Sequence, residues 1–255
     1  MSIDKLKIAN PFRLEEYRSR LAEAKNYPEL KKTYSSNLPE IKDLNSPKLW
    51  DRLNFEISNP KTQYPMMWDR LNTVARMIPA GVNKVLNIGF GGAQLEDMVG
   101  KSYDWHGIDI SPKSVKTASA RHPDKHFQIG IITNLKFPKE SFNCVIALEV
   151  LEHIPPHLTF KAFSQIYNVL KPGGYLIVSV PLNEGLEHTS SNPNAHVRVY
   201  TPALIEAELN IGGFRIINRK FLYAFHKYYS AKKLITRLFP FLKQPNIIIL
   251  LTQKQ

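Results

Sequence analysis

From Asn83 onward, short apolar runs alternate with stretches of helical spacing. Residues 84–89 (KVLNIG) form an apolar run that ends in a glycine-rich turn and predict a first strand, with a helix restarting over 93–99. Residues 105–110 (WHGIDI) predict a second strand. Ser111 and Pro112 follow as an N-cap and a first helical residue, opening a helix to about Ala120. Strands three and four are predicted over 126–132 and 142–149. Residues 160–170 have helical spacing, and the Pro and Gly of LKPGG should stop that helix. Residues 175–180 (YLIVSV) are apolar throughout, as in a strand buried on both faces. Thr201 caps a predicted helix over 202–209, and the last strands fall at 214–221 and 246–252. Such alternation argues an α/β fold with a mostly parallel sheet covered on both faces. No simple short crossover helix separates the last two strands, which predicts that one runs antiparallel.

Residues 1–80 read differently. They are polar and helical, with helical spacing over 14–24. Pro47 and Pro65 each open a copy of PxxWDRLN, and Pro suits the first turn of a helix. The flanks of the two copies differ, so no structural repeat is inferred. Trp50 and Trp68 are expected as packing anchors. The chain therefore divides into an N-terminal helical extension, 1–80, and a catalytic-type domain, 81–255, with an insertion over about 222–244.

Composition narrows the class. The 255 residues are 43% apolar, which is a globular composition. One cysteine excludes an intramolecular disulfide framework and fits a reducing compartment. Residues 1–7 alternate charged and apolar positions, unlike a signal peptide, and no run approaches a membrane span. A cytoplasmic location is expected. The net charge is +12, and its distribution matters more than its size. From Leu209 to Gln255 there is no Asp or Glu, against nine Lys and Arg. Residues 81–208 are near neutral and 1–80 are basic. Basic flanks around a neutral centre suggest an anionic partner; a solvated basic face is the alternative.

In such a sheet, ligands bind at the carboxyl ends of the strands. Gly89 and Gly91 lie in the turn after strand one, where backbone can approach a ligand closely. Asp109 ends strand two, 20 residues after Gly89, where an acid can accept both hydroxyls of a ribose. The dinucleotide fingerprint would need Gly or Ala where this chain has Gln94, which counts against NAD.

Five ordered stretches carry a resemblance. VLNIGFGGAQ, GIDIS, NLKFPKESFNCVIALEVLEHI, LKPGGYLIVSVP and HVRVYTPALIEAELNIGGF resemble, in order, the motifs of the class I S-adenosylmethionine-dependent methyltransferases, over roughly residues 82–255. The resemblance implies a Rossmann-like seven-stranded sheet, order 3-2-1-4-5-7-6, with the last strand antiparallel and helices on both faces. It implies S-adenosyl-L-methionine as cofactor. It implies contacts from Asn87, Gly89, Phe90 and Gly91 to the methionine part, Asp109 to the ribose, Ile110, Ile131 and Ile132 around the adenine, and Leu148 and Glu149 near the methyl group. Three positions depart from the family pattern. Asn87 and Ile131 stand where an acid is usual, so weakened cofactor affinity is expected. Asn143 replaces an Asp whose role is expected to be structural.

Methyl transfer is an in-line attack on a sulfonium, so alignment dominates, and a base is needed only when the nucleophile carries a proton. Glu152 and His153 are the candidate catalytic pair, with Tyr200 beside the rim. Glu149, Glu152, His153 and His196 (or His188) could hold a divalent metal, in an arrangement similar to the metal-dependent small-RNA 2′-O-methyltransferases and the ubiquinone-pathway O-methyltransferases. A helix-capping role for Glu-His is the alternative. Cys144 is expected in the core; Tyr64 is a candidate lid residue.

Residues 222–244 interleave aromatic and basic side chains. Such a segment can lie on an anionic membrane. It can also stack single-stranded nucleic acid, the less favoured reading, or pack on the domain with its lysines in water. The function expected is methyl transfer to a small-molecule, glycan or lipid-linked acceptor, preferentially O-methylation. The alternatives are a metal-assisted RNA 2′-O-methyltransferase and a non-catalytic binding subunit of the same fold.

Overall fold

The computed structural model describes residues 45–57, 65–100, 102–155, 158–182, 196, 200–225 and 228–255. The predicted helix over 14–24, Tyr64 and His188 lie outside the described residues. Seven strands form one sheet: β1 (Lys84–Ile88), β2 (Asp104–Asp109), β3 (His126–Ile129), β4 (Phe142–Leu148), β5 (Leu170–Pro181), β6 (Phe214–Leu222) and β7 (Ile247–Lys254). The order is β3-β2-β1-β4-β5-β7-β6. The five strands from β3 to β5 are parallel, and β7 runs antiparallel to both β5 and β6, as expected.

Alternation along each strand builds two cores. Leu86, Val145, Val178 and Leu250 point to one face. There they meet Phe160, Phe163, Ile166 and Val169 of α5 (Thr159–Val169) and Leu204 and Ile205 of α6 (Pro202–Ile211). Their neighbours Val85, Ile146, Ile177 and Ile249, with Cys144, point to the other face. That face is covered by Leu71, Val74 and Met77 of α2 (Pro65–Met77) and by Leu95 of α3 (Gln94–Val99). The remaining helices are α1 (Pro47–Ile57), α4 (Pro112–Arg121) and α7 (Tyr229–Leu238).

Local signals are used as chemistry requires. Both PxxWDRLN copies open helices, α1 and α2, with Pro as the first helical residue. The Ser111 hydroxyl accepts the Ser114 N–H at 3.0 Å, and Thr201 accepts the Leu204 N–H at 3.2 Å. Asn143 is structural: its Oδ1 accepts the Lys84 N–H at 3.2 Å. Two boundaries differ from expectation. The LKPGG stretch ends α5 but does not form a separate turn. It belongs to β5 as a bulge, with Leu170 to Tyr175 opposite only Phe142 to Cys144. The third strand stops at Ile129 rather than Ile132. Gly130 gives its N–H to the Asp109 carbonyl, and Ile131 then leaves the sheet to bridge Asn134. That early exit carries Ile131 and Ile132 over the end of the sheet.

Candidate functional site

The turns after β1, β2, β3 and β4 open into one cavity at the carboxyl end of the sheet. Its walls are Ile88 and Gly89, Asp109 and Ile110, Gly130 to Ile132, and Glu149, Val150, His153 and Ile154. Asn45 and Trp50 close one side. At Gly89 (φ +69°) a Cβ would stand 2.6 Å from Val150 Cγ2, so the backbone itself forms the wall there. Asp109 is buried and oriented by the backbone. Oδ2 accepts the Gly91 N–H at 2.9 Å and Oδ1 the Ser111 N–H at 2.8 Å. Burial pushes its pKa up while these bonds pull it down. A carboxylate held this way beside the apolar Ile110, Ile131 and Ile132 fits a ribose diol and an adenine ring.

Other expected cofactor contacts lie elsewhere. Phe90 turns away from the cavity and packs on Phe127, with ring centroids 4.9 Å apart, and on Ala93 and Ala118. Leu148 packs in the core under α2. Gly91 reaches the cavity only through its hydrogen bond to Asp109. Asn87 is buried behind the wall and gives its amide N–H to Glu96 Oε1 at 2.8 Å; the Trp105 indole gives a second bond to the same oxygen at 2.8 Å. Burial pushes the Glu96 pKa up to about 7. An aspartate at 87 would set a second carboxylate against this buried acid, which gives a physical reason for Asn. Because the folded protein holds this proton more tightly than the unfolded chain, stability should fall as pH rises from about 4.5 to about 7. Glu96→Gln should flatten that slope in urea melts taken across this range; an unchanged slope would contradict it.

The expected catalytic groups separate into those at the cavity and those away from it. His153 lines the cavity, with Nε2 3.9 Å from Oε1 of the fully buried Glu152. Its ring meets Trp50 edge-on at 4.7 Å and His196 at 4.9 Å. The Trp50 indole bonds Asn45 Oδ1 at 3.1 Å, and the Asn45 amide bonds the His153 carbonyl at 3.2 Å. Tyr200 differs from expectation. It is buried away from the cavity, its strand-like backbone bridges Leu182, and its hydroxyl gives a bond to Glu208 at 3.0 Å.

Glu152, His153 and His196 each offer a ligand atom, all within 4.8 Å of one another. Glu149 does not join them. Its Oε1 accepts the Ser179 hydroxyl at 2.7 Å and its Oε2 pairs with Arg70 at 3.1 Å. Glu149 also has φ +54°, a left-handed conformation that costs a side-chain-bearing residue about 1–3 kcal/mol. These partners hold that strained corner on the cavity wall. A second cluster, Asp104, His106 and His126, lies at the opposite end of the sheet. There the Lys84 ammonium, 3.1 Å from Asp104, would repel a cation.

Arg70, Asp51, Ser179 and Asn45 escaped the sequence reading. Asp51 of α1 accepts the Ser111 hydroxyl and the Lys113 N–H at the start of α4. No local motif marks Ser179 or Asn45; Asp51 and Arg70 lie in the repeated Trp-Asp-Arg, which signals a helix start but not these contacts.

Residues 86–178 match the methyltransferase domain model. Over that stretch, about a third of the chain, the protein is similar to the class I S-adenosylmethionine-dependent methyltransferases. An O-methyltransferase of Penicillium expansum is 28% identical over 156 residues, 56% of each chain. The 2-methyl-6-phytyl-1,4-hydroquinone methyltransferase of Synechocystis is 32% identical over 120 residues, 42% of this chain and 37% of that one. The match thus spans about half or less of these curated relatives. A crystal structure of a methyltransferase from Mesorhizobium loti superposes with a TM-score of 0.57 at 16% identity, over 74% of this chain and 98% of the other. That likeness concerns the fold alone.

Proposed function

We propose that this methyltransferase uses S-adenosyl-L-methionine to methylate a hydroxyl on a small-molecule, glycan or lipid-linked acceptor. The carrying observation is the cavity itself, which Gly89, the oriented Asp109 and His153 all line. The name of one curated relative, an O-methyltransferase, supports the hydroxyl, and that of the other, a phytyl-hydroquinone methyltransferase, supports a small or lipid-like acceptor without naming the atom.

Asp109 would accept the ribose hydroxyls, and Ile110, Ile131 and Ile132 would cover the adenine. The cofactor supplies an electrophilic methyl group on sulfur. An acceptor hydroxyl held in line with that methyl group would give its proton to the His153 imidazole, with the thioether as leaving group. Glu152, 3.9 Å away, stabilises the imidazolium that results. Trp50 and Asn45 fix the position of His153 and narrow the access of water. His153→Asn should lower turnover of a hydroxyl acceptor by about a hundredfold with little change in cofactor affinity. Equal turnover in the variant would remove the base role.

The grouping of Glu152, His153 and His196 favours a second reading, in which a divalent ion held there lowers the pKa of the acceptor hydroxyl. Calorimetric titration of Mg²⁺, Mn²⁺ and Zn²⁺ into the wild type and His196→Ala separates the two. Binding that the substitution abolishes supports the metal; no heat with any of them removes it.

A further inference from the structure

The helix α7 is inserted between the two antiparallel strands β6 and β7, and it is mounted with its apolar side outward. At about 100° per residue, Ala231, Leu234, Ile235 and Leu238 share one arc, and Thr236 lies opposite. Thr236 is buried against the protein, whereas Leu234 is 57% and Leu238 64% exposed. The chain beyond the helix extends the patch: Phe241 is 80% exposed, and its ring meets Phe239 at 6.0 Å.

Specific contacts hold the opposite side. The Tyr229 hydroxyl and the Lys233 ammonium both bond Asp69 of α2. Phe225 packs on Tyr229 and sits beneath the ammonium groups of Lys243, at 4.4 Å, and Lys232, at 5.9 Å. The outward arc is therefore fixed in place and not an accident of a loose end. An ordinary surface helix buries this stripe.

We propose that this arc is a docking surface for an anionic lipid bilayer. The charge around it selects that occupant. Lys232 and Arg237 flank the arc and are exposed, and no acid occurs between Leu209 and Gln255. A second copy of this chain, itself at +12, would bring like charges together at such an interface. Single-stranded nucleic acid would match the charge but gives Leu234, Ile235 and Leu238 nothing to bury against. Ten residues make a helix of about 15 Å, which lies in the interface rather than crossing it. The helix is anchored at Asp69, and the next residue, Arg70, pairs with Glu149 on the cavity wall. Docking there would bring the cavity-bearing end of the molecule close to the lipid phase. The docking surface itself does not depend on the methyl-transfer reading.

The test is vesicle flotation of the full chain at low salt, with phosphatidylcholine alone or mixed equally with phosphatidylglycerol. The wild type should float with the mixed vesicles and much less with phosphatidylcholine. The double variant Leu234→Ser, Leu238→Ser should bind at least about tenfold more weakly. Lys232→Glu with Arg237→Glu should lose about tenfold or more. Ile217→Ser, at an exposed apolar position on β6, should leave flotation unchanged. Circular dichroism and S-adenosylhomocysteine binding check that each variant is folded, whatever the acceptor. Three results would overturn the proposal: no flotation of the wild type, equal flotation of all variants, or loss in the variants of self-association or RNA binding with no vesicle binding at all.

Discussion

The chain writes Trp-Asp-Arg-Leu-Asn twice, at 50–54 and 68–72, and the fold uses the copies for different ends. In both, Pro three residues earlier begins the helix, so the local structure is the same. What differs is the neighbour. Trp50 borders the cavity against His153, whereas Trp68 is 39% exposed. Asp51 binds the start of α4; Asp69 binds α7. Arg52 is exposed, while Arg70 reaches Glu149 on the cavity wall. Identical local sequence thus determines the element, and the tertiary setting determines what each side chain does.

Paired substitutions sharpen that contrast. The largest effect is expected at the arginines. Arg70→Ala leaves Glu149 without its cation at a strained, largely buried corner and should cost about 2 kcal/mol in urea unfolding. Arg52→Ala should stay within about 0.5 kcal/mol, and equal costs would show that the Glu149 pair carries no special weight. Next come the tryptophans. Trp50→Ala should weaken S-adenosylhomocysteine binding about tenfold by calorimetry, through the lost cavity wall, while Trp68→Ala should not change it. The aspartates should differ least. Asp51→Asn removes a carboxylate from a helix N-terminus and should cost about 0.5–1 kcal/mol of global stability. Asp69→Asn should leave global unfolding unchanged and speed hydrogen exchange in α7 alone, because the ion pair it breaks is half exposed. Faster exchange throughout the sheet would contradict that assignment.

Most of the sheet was legible in the sequence because the central strands β1, β4 and β5 and the inner β7 are rich in apolar residues. That one of the last two strands runs antiparallel was expected from the chain pattern, and that it is β7 was implied by the family resemblance. Asp109 and Gly89 were legible because their spacing reflects backbone geometry at the end of two adjacent strands. Other features depend on contacts between distant residues, which no local pattern encodes. Tyr200 looked like a rim residue by position, yet its hydroxyl is satisfied by Glu208 in the core. Glu149 looked like a metal ligand within EVLEH, but Ser179 and Arg70 claim its two oxygens, from 30 residues later and 79 residues earlier in the chain. Asn87 looked like a weakened cofactor contact; the structure instead ties it to the buried Glu96. The interleaved aromatic and basic segment 222–244 showed its composition but not its orientation, which the burial of Thr236 and the bonds of Tyr229 and Lys233 to Asp69 reveal.

The central claim is that the oriented Asp109 carboxylate holds the ribose of S-adenosylmethionine in the cavity at the end of β1 and β2. Isothermal titration of S-adenosylhomocysteine into the wild type and Asp109→Asn tests it most directly. The wild type should bind, and the variant, which keeps the shape but loses the charge and one acceptor, should bind about ten- to a hundredfold more weakly. No heat from the wild type at millimolar ligand, or equal affinity in the two proteins, would contradict it.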